Sequence, residues 1–122
     1  MKKLVVCLTL VCLLGSLSLM FAQKPTSVIH VINVKWKADA KPEQIQAALN
    51  MAHEMPKKFP GIKRVWTKTI VFQMKPNFDQ SIVMEFESEE ALKKYKDSPA
   101  QKAWYEVYLP IREESRTNDI TN

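Results

Sequence analysis

The sequence predicts one α+β domain, built as strand, helix, strand, strand, helix, strand. That order folds into a four-stranded antiparallel sheet with both helices on one face. Three stretches carry the prediction. Phe78 to Phe86 alternates apolar and other residues at the strand period. Ser88 and Ser98-Pro99 then supply two helix starts in succession. Asp39 to Phe59 has helical spacing, with proline in its first turn.

In chain order, a polar lead from Gln23 to Ser27 precedes a first strand over Val28 to Trp36. Its His30, Ile32, Val34 and Trp36 share one face, and Ile29, Val31 and Asn33 share the other. Both faces are substantially apolar, which implies cover on both sides. In the first helix, Ile45, Ala48, Leu49, Ala52 and Met55 form the stripe, with Met51 at its margin. Pro42 is tolerated in the first turn, and Pro56 is expected to end or kink the helix near Met55. Pro60-Gly61 turns the chain into a second strand, predicted over Ile62 to Met74 with a bend or bulge. Ile70-Val71-Phe72 reads as its most buried part.

Lys75-Pro76-Asn77 turns into the third strand. Beyond it, Glu89 and Glu90 fill the first turn of the helix that Ser88 caps, where acid suits the helix dipole. The next helical piece places Ala100, Trp104, Val107, Tyr108 and Ile111 on one stripe. Tyr95 and Trp104 then frame one end of a pocket against the sheet. Leu109-Pro110 breaks the helix, Ile111 to Ser115 resumes for at most a turn, and Arg116 to Ile120 is the predicted fourth strand. On the far face of the sheet, Ile29, Val31, Val83 and Val71 form an apolar patch that a partner sheet is expected to cover.

The chain has 122 residues, one domain's worth, with ordinary charged and hydrophobic fractions. The first 22 residues read as a signal peptide: Lys2 and Lys3, an apolar run from Leu4 to Leu14, then Gly15-Ser16 and Ala22. Cleavage is expected between Ala22 and Gln23, leaving a domain over 23–122 that is secreted or periplasmic and free of the membrane. The alternative is a retained anchor, since Leu4 to Ala22 is nearly long enough to span a bilayer. Cys7 and Cys12 are the two cysteines, and both lie in this segment. The mature chain therefore has no disulfide, thiol nucleophile or Cys-ligated metal. The net charge of +5 includes Lys2 and Lys3; without them 16 basic residues face 13 acidic ones, or +3. That is a mildly basic surface and not a nucleic-acid footprint.

The run F-D-Q-S-I-V-M-E-F-E-S-x-E-A-L-x-x-Y-x-x-S-P-A-Q resembles the stress-responsive A/B barrel, or Dabb, domain. The likeness extends back through Val28 to Trp36 and forward to Asn118-Asp119-Ile120. It implies a ferredoxin-like protomer that pairs into a dimeric α+β barrel. It also implies a small-molecule cavity lined by Tyr95, and it favours a pocket role for His30, because a His often opens this strand in the family. In the plant polyketide cyclase sharing this fold, the matching Tyr works with a His six residues later. Here that position is Gln101. Gln80 and Ser98 likewise stand where that pattern has His. Glutamine cannot take up a proton near neutral pH, so the departures argue against cyclase chemistry.

Two residues remain as catalytic candidates. His30 reads either as a pocket acid, base or donor, or as a strand residue satisfied by a neighbour such as Asp119. Tyr95 reads either as a cavity phenol or as a core aromatic. The candidate ligand wall is His30, Ile32, Val34, Tyr95, Gln101 and Trp104. Trp36, Phe86 and Tyr105 read as core aromatics near it, and His53 as exposed. No metal-ligand spacing, phosphate loop, nucleophile elbow or dinucleotide fingerprint occurs. The expectation is a homodimer that binds a small, partly apolar molecule without a cofactor. The alternative is a cofactor-free cyclase, isomerase or oxygenase using His30 and Tyr95.

Overall fold

Strand β1 (Val28–Trp36) lies inside the sheet, flanked by β3 (Gln80–Phe86) and β4 (Arg112–Ile120), while β2 (Ile62–Trp66) pairs with the outer edge of β3. All pairings are antiparallel, in the order β2-β3-β1-β4. The computed structural model describes residues 26–71, 73 and 76–122. The predicted signal peptide, and Phe72, Met74 and Lys75 of the predicted second strand and turn, lie outside the described residues.

The helices follow their local signals. Helix α1 (Pro42–His53) starts on proline, and Gln44 Oε1 accepts from the Lys41 N–H at 3.0 Å, half of a capping box. A break at Glu54 separates it from the short α2 (Met55–Lys58), with Pro56 in α2's first turn. Helix α3 (Glu89–Tyr95) is capped by Ser88, whose Oγ accepts from the Ala91 N–H at 3.1 Å. Helix α4 (Pro99–Tyr108) is capped by Ser98 in the same way and passes into a 3₁₀ turn, Leu109–Ile111. Gly61 lies where a Cβ would come 2.7 Å from the Phe59 ring and 3.0 Å from the Ala91 methyl, so only glycine fits between that turn and α3.

The core fills the space between sheet and helices. Val28, Ile32, Val34 and Trp36 of β1 and Ile82, Met84 and Phe86 of β3 meet Ala48, Leu49, Ala52 and Met55 from the first helical pair and Tyr95, Trp104 and Tyr108 from the second. Trp104 Nε1 donates to the Ala48 carbonyl at 3.0 Å, locking α4 against α1. Ile45 of the predicted stripe is only half-buried. On the opposite face of the sheet, the register sets Val31 between Val83 and Asn118, with Trp66 beyond Val83. Ile29 lies between Glu85 and Ile120 on that face.

Three expectations need correction. β2 ends at Trp66, not Met74, and Ile70 and Val71 are 89% and 74% exposed instead of buried. The cause is a change of partner: Thr69 bonds Ser81 through its hydroxyl, and Gln80 Nε2 reaches the Thr67 carbonyl at 2.5 Å, so side chains replace the backbone ladder there. β4 begins at Arg112, four residues before the predicted Arg116, because β1 is long enough to pair with it as far as Trp36. The buried stripe of α4 is Gln101, Trp104 and Tyr108, rotated from the predicted one so that Gln101 is buried and Ala100 only partly so.

Candidate functional site

A cavity of about 310 Å³ opens between the helix-facing side of β1 and β4 and the α3–α4 corner. β1 contributes His30 and Ile32, and β4 contributes Ser115, Thr117 and Asp119. The corner contributes Tyr95 and Gln101, with Trp104, Tyr105 and Tyr108 from along α4.

His30 and Asp119 are directly opposed across the β1–β4 ladder, and His30 Nδ1 lies 2.5 Å from Asp119 Oδ1. An ionised carboxylate only accepts, so this contact favours the tautomer with its proton on Nδ1 and Nε2 free. The imidazole also packs edge-on against Phe86, with centroids 5.9 Å apart.

Tyr95 packs on the other side of that core, with its ring 5.2 Å from Phe86 and 5.5 Å from Phe59. It is 1% exposed, and its hydroxyl has no hydrogen-bond partner among the described residues. Burial, helped by nearby Tyr105, pushes its phenol well above the ordinary value of 10.0. It is a neutral donor at any physiological pH. Tyr108 shares the condition: its hydroxyl is buried and unpartnered, and burial raises its pKa. Ser115 and Arg112 approach closely enough to offset part of that rise, although neither makes a hydrogen bond of normal geometry to the hydroxyl. Tyr108 stacks on Trp104 at 4.3 Å and 9°, forming a flat aromatic wall.

Gln101 is fastened in place. Its Oε1 accepts from the Asp97 N–H at 2.8 Å, its Nε2 lies 3.3 Å from the Tyr105 hydroxyl, and its own N–H donates to Ser98 Oγ. Asp97 has a left-handed φ of 61°, a conformation that Asp tolerates better than most residues. Ser98-Pro99-Ala100-Gln101 is thus a capping box whose glutamine reaches one residue further back than usual. The S-x-x-Q spacing was legible in the sequence; reading position 101 only as an altered histidine overlooked it.

Of the six predicted wall residues, His30, Ile32, Tyr95, Gln101 and Trp104 line the cavity. Val34 does not. It is fully buried in the core, two residues further along β1. Trp36 and Phe86 are core residues, and His53 is exposed. Tyr108, Arg112, Ser115 and Thr117 were missed as wall residues. Alternation along β4 would have found Ser115 and Thr117 had the strand been started early enough. A larger groove of about 740 Å³ lies on the helix side, lined by Met51, Met55, Pro99 and Ala100 with Glu54 and Lys58. It is distinct from the cavity that holds the polar groups. Among the described residues, no three His, Cys, Asp or Glu side chains converge as a metal site.

The family model of the Stress Responsive A/B Barrel Domain, Dabb, matches residues 28–122. The chain belongs to this family. Solved structures of the same fold superpose on it. A hydroxynitrile lyase from Passiflora edulis aligns with a TM-score of 0.72 at 16% identity, over 80% of this chain and 95% of that one. A dimeric ferredoxin-like protein of unknown function from Thermobifida fusca aligns at 0.68 and 16% identity, covering 84% and 96%. A Dabb family protein with a ferredoxin-like fold from Mesorhizobium loti aligns at 0.64 and 18%, covering 79% and 96%. At these identities the likeness is one of fold. No curated protein matches the chain. This Dabb chain has the βαββαβ order, Tyr95 lies in the cavity wall, and Gln101 fastens the α3–α4 corner.

Proposed function

We propose that this Dabb chain is an exported homodimer that binds a small, partly apolar molecule in the β1–β4 cavity without strong catalysis. One observation carries the reading. Two tyrosine hydroxyls, of Tyr95 and Tyr108, are buried in the cavity wall with no hydrogen-bond partner among the described residues. Leaving a buried hydroxyl unpaired costs roughly 1–3 kcal/mol, so a fold that keeps two such groups beside a cavity gains when a ligand oxygen accepts from them. The aromatic stack of Trp104 and Tyr108 suits a flat apolar body. Export is supported by the Lys-Lys start, the apolar run and Ala22. Dimerisation is supported by the apolar open face around Val31, Val83 and Trp66, the last 45% exposed, and by the dimeric Thermobifida fusca protein of the same fold.

Native mass spectrometry of protein from the exported fraction tests all three parts. The expected species starts at or near Gln23, is a dimer, and carries retained ligand that Tyr95→Phe weakens. A mass that includes Met1 to Ala22 would replace cleavage with an anchor.

A second reading is favoured by the His30–Asp119 contact. A histidine held by a carboxylate at Nδ1 presents Nε2 for proton transfer, as general bases do. On that reading the chain is a cofactor-free enzyme with His30 as base and Tyr95 as hydrogen-bond donor.

A further inference from the structure

We infer that the cavity recognises an anionic oxygen, and that its ligand is a small aromatic carboxylate held by Arg112. The inference rests on the binding reading above and names its ligand class. A β-bulge carries it. β4 runs opposite β1 in register from Ile120 on Ile29 to Glu114 on Lys35, then slips, so that Trp36 faces Arg112 instead of Glu113. Glu113 is the extra residue. Side chains alternate along a regular strand, which would leave Arg112 on the open face with Glu114 and Arg116. The slip moves Arg112 to the face of Ser115, Thr117 and Asp119, where it becomes part of the cavity wall.

The re-aimed guanidinium differs from the chain's other two. Arg64 reaches Glu85 and Arg116 reaches Glu114, while Arg112 has no carboxylate in salt-bridge reach among the described residues. Its acidic neighbours in sequence are engaged elsewhere, Glu113 with Lys35 and Glu114 with Arg116. Asp119, the one acid in the cavity wall among the described residues, holds His30. Arg112 lies over the Tyr108 ring at 5.5 Å, and its Nη1 donates to Ser115 Oγ at 3.1 Å. One of five fixed N–H donors is thereby used, and those left match the two oxygens of a carboxylate. Lys96, which like Arg112 has no carboxylate in salt-bridge reach among the described residues, adds a second cation to the same wall. The Trp104–Tyr108 stack supplies a flat surface for a ring. At about 310 Å³ the cavity is at the small end of ligand pockets, which suits a compact ring acid over a long chain.

The test uses a matched pair, benzoate and its neutral isostere benzamide, titrated at pH 7 while the backbone amides of Ser115, Thr117 and Asp119 are followed by NMR. Benzoate is expected to bind about tenfold more tightly or better, since a charge-assisted pair is roughly twice as strong as a neutral one. Arg112→Gln should erase that preference, and Arg112→Lys should keep part of it. Should Arg112→Gln fail to fold, the Arg112 side-chain resonance of the wild type decides, shifting with benzoate and not with benzamide. Equal affinities, a preference that survives in Arg112→Gln, or an unmoved Arg112 resonance overturns the inference and leaves the binding reading intact. If neither compound moves the three β4 amides, both fall together.

Discussion

Asp119 places a carboxylate oxygen 2.5 Å from Nδ1 of His30, joining the first and last strands at one edge of the cavity. This pairing selects a tautomer. Neutral His30 is expected to carry its proton on Nδ1, which nitrogen-detected NMR reads directly. Asp119→Ala should shift the ring toward the Nε2–H form while changing stability by no more than about 1 kcal/mol, because Asp119 is half exposed. A wild-type ring protonated on Nε2 would remove the basis for placing a free Nε2 in the enzyme reading.

Tyr95→Phe is expected to stabilise the ligand-free protein by roughly 1–3 kcal/mol in urea titration, since it deletes a buried hydroxyl that has no partner. The same change should weaken ligand binding. Alkaline pH gives an independent check. The folded-state pKa of Tyr95 is raised above its ordinary value of 10.0, so the unfolded chain loses this proton first. The contribution is intact below about pH 10 and is lost as pH rises through the higher folded value. Tyr108 acts in the same direction. Wild-type stability should therefore decline above about pH 10, and decline less steeply in Tyr95→Phe.

Val31 and Val83 face each other on the side of the sheet away from the helices. Val31→Asp or Val83→Lys should convert the dimer to a monomer at micromolar concentration, because an unpaired charge in a dry interface costs several kcal/mol. Light scattering decides it. A wild type that is monomeric at that concentration would remove the dimer from the proposal.

Gln101 pins the left-handed Asp97 turn between α3 and α4. Gln101→Ala should cost roughly 1–2 kcal/mol, and Gln101→Glu should retain most of the stability as the usual alternative in a capping box. Linear polyketide-like substrates should not turn over in the wild type. Turnover with a bell-shaped pH profile that vanishes in His30→Ala would move the protein to the enzymes.

The sequence by itself determined the element order, both serine caps and the proline starts. Each is written in residues a few positions apart, where caps, periodicity and φ restriction act. Only the tertiary structure decided where strands stop and which way edge side chains face. Ile70 and Val71 look like strand core, but a strand needs a neighbour's backbone, and beyond Trp66 the contacts to β3 come from side chains. Arg112 falls outside the fourth strand that the sequence predicts; the Glu113 bulge that turns it to the cavity face exists only in the pairing of β4 with β1, residues far apart in the chain. Val34 shares a face with His30 and Ile32, yet packing seals it inside the core while they meet the cavity. Periodicity assigns a residue to a face; where packing along that face gives way to open space depends on the side chains arriving from other elements.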